Sequence, residues 1–172
     1  MPGRILWNLK SWISHPYQGC SKTLPPKSRI MLECFFAIGD KKEARFLGKW
    51  HTTITLNDLN GSIAKASKGQ IWLLAQSPII HLGANNIDSA DKMVNLAISC
   101  GFKNSGIKSL TKKFIVEICS TERLDTPVGR DGKIFCNDNH LKLLVDISNE
   151  IYNKSRFKLE KFYKNMQSFK YL

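Results

Sequence analysis

The last third of the chain carries the pattern that most limits how it can fold. Leu141, Leu144, Val145, Ser148, Ile151, Tyr152, Leu159, Phe162 and Tyr163 recur at intervals of three or four. That spacing lines one face of an α-helix. No proline or glycine interrupts residues 138–172, so the pattern predicts one long C-terminal helix. An apolar stripe on one side of a helix needs a surface to cover it. The far half of the same helix is basic, through Lys154, Arg156, Lys158, Lys161 and Lys164. Two readings stand for that half: a solvated face, or a rail for the backbone of RNA.

The covering surface is expected from the middle of the chain. Arg29–Phe36 predicts a strand with Ile30, Leu32, Cys34 and Phe36 on one face. A turn at Gly39–Lys42 and a second strand over Arg45–Thr55 complete a hairpin. Asn57 is expected to cap a short helix closed by Gly69. Gln70–Gln76 and Pro78–Ala84 are apolar runs of strand length. Asp88 is expected to cap a helix with Ala90, Met93, Val94, Ala97 and Ile98 on its inner face, closed by Gly101. Gly106–Ser109 and Phe114–Cys119 predict another hairpin, turning at Leu110–Lys112. Leu124–Val128 predicts a further strand before the turn Gly129–Gly132. Ahead of all these, Trp7, Trp12 and Tyr17 allow a short helix in residues 1–18. Pro25-Pro26 make 19–28 a loop, since neither helix interior nor central strand accepts two prolines. Strands and helices interleave without strict alternation. The expected fold is α+β: a single domain over 1–172 with a mixed β-sheet, packed helices and a long basic C-terminal helix.

Charge narrows the partners. The chain has 172 residues, with 26 Lys and Arg against 14 Asp and Glu, for a net charge of +12. That balance favours a polyanion, nucleic acid ahead of an anionic membrane surface. Nine phenylalanines and four tryptophans among the cations point to RNA, because aromatic faces stack unpaired bases. Cysteines at 20, 34, 100, 119 and 136 are odd in number and lack CxxC spacing, which argues against a zinc site and a disulfide framework. Cys34, Cys100 and Cys119 are expected as small core residues. No apolar run is of bilayer length. Asn8, Lys10 and Ser11 break the early apolar residues, so no signal peptide is expected and a cytoplasmic location is. There is no GxGxxG after a strand, no P-loop, no HExxH and no nucleophile elbow.

Several residues carry polar chemistry at strand ends. Lys49, Trp50 and His51 place a cation, an indole and an imidazole in succession. If the strand runs through them, Lys49 and His51 share a face. A neutral His51 can accept a proton, or can be a satisfied surface histidine. His81 ends the run Pro78-Ile79-Ile80, with the same two readings. Ser120, Thr121 and Glu122 follow a strand directly. They can bind a carboxylate, a ribose or a phosphate, or can form a turn. Ser105, between Asn104 and Gly106, is a similar case, and Arg29 offers a bidentate guanidinium.

Taken in order, the stretches Lys41–His51 (KKEARFLGKWH), Trp72–His81 (WLLAQSPIIH), Gly101–Ile107 (GFKNSGI) and Val116–Leu124 (VEICSTERL) resemble the wybutosine-synthesis methyltransferases, the third of the tRNA wybutosine-synthesising proteins. The resemblance runs from about Arg29 to Ile147. It implies methyl transfer from S-adenosylmethionine to the N-4 ring nitrogen of the tricyclic wybutosine precursor in phenylalanine tRNA. For that reaction His51 is expected to be the catalytic residue, taking the nitrogen's proton or positioning the ring. Arg29, Ser120, Thr121 and Glu122 are expected around the cofactor, and Lys49, Trp50, His81 and Ser105 around the substrate. One segment differs. Where the family has Ser-Ser-Cys-Ser-Gly-Arg before the first strand, this chain has Gly19–Arg29 with Pro25-Pro26 inserted. That difference leaves a non-catalytic RNA-binding relative as the alternative.

Overall fold

The computed structural model describes residues 31–37 and 168 as backbone, and 45–110 and 114–167 with side chains. Residues 1–30, the turn at 39–42 and residues 111–112 of the expected second turn lie outside the described residues. Arg29 is among them.

Eight strands and three helices follow one another along the described chain. They are β1 (Met31–Ala37), β2 (Arg45–Trp50), α1 (Leu56–Ile63), β3 (Gln70–Gln76), β4 (Ile80–Ala84), α2 (Ile87–Ser99), β5 (Gly106–Ser109), β6 (Phe114–Ile118), β7 (Arg123–Arg130), β8 (Lys133–Ile134) and α3 (Asp138–Ser168). The α+β class and the long C-terminal helix are as expected. In place of one mixed sheet there are two, ordered β2-β1-β3-β7-β8 and β4-β6-β5. Every pairing in them is antiparallel. Short connections account for β1–β2, β5–β6 and β7–β8, while β1–β3, β3–β7 and β4–β6 join strands that are not consecutive in the chain.

The chain divides into two compact units. The five-strand unit takes the described residues of 30–77 and 122–155, and the three-strand unit those of 78–121 and 156–168. Helix α3 gives its first half to one and its second half to the other.

In the five-strand unit Leu59, Ile71, Leu73, Val128, Leu141 and Val145 are buried together. Pro127 is tolerated in β7 because it sits beside a register shift and beyond the reach of the two-residue β8. Asp131 and Gly132, with φ of +52° and +72°, make the two-residue turn into β8. The buried stripe of α3 contains Ser148 and Ser155. Each hydroxyl is paired, Ser148 Oγ donating to the Leu144 carbonyl at 2.7 Å and Ser155 Oγ meeting Ser77 Oγ at 2.7 Å. Burial without such partners would cost a few kcal/mol each.

In the three-strand unit Ile80, Val116 and Ile118 face Ala90, Met93 and Ala97 of α2 and Leu159 and Phe162 of α3. Phe102 is fully buried and packs edge to face on Phe162, with ring centroids 6.0 Å apart. Among the described residues no helix is long and apolar enough to cross a membrane.

Three further expectations, each about an element's end, are corrected. Strand β2 stops at Trp50, and His51 and Thr52 form a bend. Thr55, not Asn57, caps α1, its Oγ1 accepting from the Asp58 amide at 3.2 Å while Asp58 Oδ2 accepts from the Thr55 amide at 2.8 Å. Asn86, not Asp88, caps α2, accepting from the Ser89 amide at 2.8 Å. The physical reason is reach: a capping oxygen must lie about three residues ahead of the amide it serves.

Candidate functional site

One end of the three-strand sheet gathers four of the candidates. Antiparallel pairing puts the start of β4, the end of β6 and the start of β5 side by side, with Ile80 opposite Ile118, His81 opposite Glu117 and Gly106 opposite Glu117. His81, Ser105, Ser120 and Thr121 therefore come to the same edge of the sheet.

Ser105 ties that edge together. Its Oγ donates to the Phe102 carbonyl at 2.7 Å and accepts from the Cys119 amide at 3.2 Å. The Asn104 amide also donates to the Cys119 carbonyl, at 3.1 Å. These bonds fix the loop between α2 and β5 against the end of β6.

Ser120 comes next and is only 7% exposed. Lys158 of α3 donates from Nζ to its Oγ at 3.1 Å. The stem of Lys158 crosses the end of α2 at Gly101. A Cβ at Gly101 would stand 2.9 Å from Lys158 Cε, and Gly101 has a φ of +100°. The left-handed backbone at the helix end favours glycine there, and a Cβ would also make the stem of Lys158 shift. Thr121 beside Ser120 is exposed.

His81 is paired across the sheet. Its Nε2 lies 2.8 Å from Glu117 Oε2, and Lys108 Nζ on β5 lies 3.0 Å from Glu117 Oε1. Hydrogen bonds from His81 first, and from Lys108 second, hold the Glu117 carboxyl below the ordinary glutamate value.

The remaining candidates belong to the five-strand unit. Lys49 is exposed, with Nζ 4.8 Å from the centroid of the Phe46 ring, and Phe46 is itself 60% exposed. Trp50 is half-buried and packs on the core of its unit. His51 is half-buried, and its carbonyl accepts from Tyr152 Oη at 2.8 Å, which anchors the bend. Because β2 ends at Trp50, the shared strand face expected for Lys49 and His51 does not extend to His51. Glu122 is half-buried just before β7, its carbonyl accepting from Ser77 Oγ at 3.0 Å.

Sequence reasoning missed two members of the sheet-end group. Lys158 was placed with the basic face of its helix. Its position three residues after Ser155 and four before Phe162 puts it at the margin of the buried stripe, and that was the available signal. Glu117 was read only as part of a strand. No sequence signal could pair it with His81, which lies 36 residues away.

The chain is similar to known proteins. The family model described as Methyltransferase TYW3 matches residues 36–168. A Pyrococcus furiosus protein named tRNA(Phe) 7-((3-amino-3-carboxypropyl)-4-demethylwyosine(37)-N(4))-methyltransferase 1 is 44% identical over 131 residues, covering 76% of this chain and 67% of that protein. The Pyrococcus abyssi protein of the same name is 46% identical over 125 residues, covering 72% and 64%. The chain thus spans about two thirds of the length of these relatives. Among solved structures, the PH1069 protein from Pyrococcus horikoshii superposes with a TM-score of 0.76 at 42% identity, over 79% of this chain and 72% of that one. A hypothetical protein from Aeropyrum pernix has a TM-score of 0.71 over 98% of each chain at 21% identity, a likeness of fold.

Proposed function

The chain belongs to the TYW3 methyltransferase family, and from that premise we propose that it transfers a methyl group from S-adenosylmethionine to the N-4 nitrogen of the demethylwyosine base in phenylalanine tRNA. The observation that carries this reading is the 44% identity over 131 residues to a relative named for that reaction. The matched segment 36–168 includes the whole sheet-end group.

The residues at the sheet end suit the methyl donor. Ser120 is a buried hydroxyl with an ammonium, Lys158, drawn to it. An ammonium beside the hydroxyl of Ser120, with Thr121 next in the chain, offers the kind of donors a carboxylate requires. We assign these three to the carboxylate of S-adenosylmethionine. When bound, that group supplies a methyl on a sulfonium that leaves readily. The chain's own residues have to orient the acceptor nitrogen and exclude water. Ser105 serves by holding the edge of the sheet in place. Lys49, Trp50 and His51 offer a cation, an aromatic face and an imidazole on consecutive residues, and we assign them to contacts with the RNA. Arg29 and Glu122 are kept as further donor-binding candidates from the family pattern.

Two measurements test the proposal. Calorimetric titration with S-adenosylmethionine is expected to give one-to-one binding, weakened in a Lys158→Met variant. Labelled methyl from the donor is expected to reach phenylalanine tRNA that carries the demethyl precursor. A protein that binds this tRNA but neither binds the donor nor transfers the label would be an RNA-binding relative instead. His51→Ala should raise KM for the tRNA with little change in kcat. A collapse of kcat would move His51 into the chemistry.

A further inference from the structure

We propose that His81, fixed by Glu117, is the group that takes the proton from the acceptor nitrogen in the reaction proposed above. The inference rests on that reading and adds a residue role to it.

The geometry starts from the sheet. His81 on β4 and Glu117 on β6 are direct cross-strand partners, and Lys108 reaches the same carboxylate from β5. Glu117 thus binds a donor with each of its oxygens. Its side chain is 21% exposed, while those of His81 and Lys108 are 57% and 60% exposed. Exposed ion pairs of this kind contribute little to stability. Their larger effect is on orientation. An ionised carboxylate only accepts hydrogen bonds, so the imidazole must present Nε2–H to it. The neutral ring then carries its lone pair on Nδ1. Among the described residues Nδ1 has no hydrogen-bond partner. A base with one nitrogen held by a carboxylate and the other turned outward is arranged to receive a proton.

Position supports the assignment. His81 is the second residue of β4, at the end of the sheet where Ser105 and Ser120 stand, and on the face opposite the buried Ile80, Val116 and Ile118. The charged and titratable groups on the same face are Glu117, Lys108 and, two residues beyond Glu117, Cys119. The Cys119 thiol donates to the Ser120 carbonyl at 3.4 Å.

The chemistry balances. A neutral ring nitrogen that gains a methyl group must lose a proton. The nitrogen–carbon bond forms as the sulfur–carbon bond of the sulfonium donor breaks, and that bond's electron pair stays on sulfur. The nitrogen–hydrogen pair stays on the ring, and the proton goes to Nδ1 of His81. Glu117 then faces an imidazolium and stabilises it. Glu117 touches no reacting atom and acts as a positioning residue.

The test combines kinetics with a direct reading of the ring. In the wild-type protein, long-range nitrogen–proton NMR of the neutral imidazole should find His81 as the Nε2–H tautomer. Glu117→Gln should give a mixture of tautomers and lower kcat about tenfold. His81→Ala should lower kcat by about 10²-fold or more, with KM for the tRNA and the melting temperature nearly unchanged. Added imidazole should restore a large part of that loss. An Nδ1–H ring, wild-type turnover in His81→Ala, or a loss that imidazole does not restore would each overturn the proposal. A wild-type protein that transfers no methyl group at all would sink the functional reading and with it this role in turnover. The tautomer spectrum would still decide whether Glu117 fixes the ring.

Discussion

Single residues at the sheet end divide into those that hold the site and those that face it. Ser105 was expected to touch substrate. Its hydroxyl donates to the Phe102 carbonyl and accepts from the Cys119 amide, which holds the chain before β5 against the end of β6. Gly101 is decided by its surroundings. A side chain there meets a left-handed backbone costing about 1–2 kcal/mol and also the stem of Lys158. Gly101→Ala is therefore expected to lower the melting temperature by about 2–8 °C. It should also weaken donor binding, because Lys158 is displaced from Ser120. A calorimetric scan with and without S-adenosylmethionine separates the two effects. Unchanged melting would mean that the end of α2 can reform without glycine.

At the scale of elements, local chemistry predicted the kind of each segment better than its ends. Strand β3 falls over Gln70–Gln76 as the apolar run indicated. Strand β2 is shorter than its apolar pattern, because Thr55 is taken as the cap of α1 and the chain must bend before it. Thr55 and Asp58 form a reciprocal pair, and this pair explains why Asn57 is not the cap. Thr55→Ala should cost about 0.5–2 kcal/mol, while Asn57→Ala, at an exposed site inside the first turn, should change stability by less than about 0.5 kcal/mol. Urea titration of both variants checks the difference. Equal losses would remove the capping box from the account.

The whole molecule carries a net charge of +12, and part of it lies along the outer face of α3. That face is less free than its sequence indicated. Lys154 pairs with Glu150 at 3.3 Å, Arg156 with Glu160 at 3.1 Å, and Lys161 donates to the Ser99 carbonyl at 3.1 Å. Lys158 has turned inward to Ser120. Changing Lys154, Arg156, Lys161 and Lys164 together to glutamine should still weaken tRNA binding. It should flatten the dependence of log Kd on log salt by roughly 1–3, less than four independent phosphate contacts would give. An unchanged slope would make the face a solvated one. The sequence by itself determined the α+β class, the long helix, the core stripes and the family. Each of these is written in residue type and short-range spacing, and 3.6- and 2-residue periods survive without knowledge of distant partners. Tertiary structure alone decided that His81 and Lys108 both meet Glu117, that Lys158 crosses Gly101 to reach Ser120, and that Ser105 bonds the backbone at the end of β6. Those meetings depend on strand register and on which turn of α3 lies against α2. Both are set by long-range packing, which no local pattern encodes.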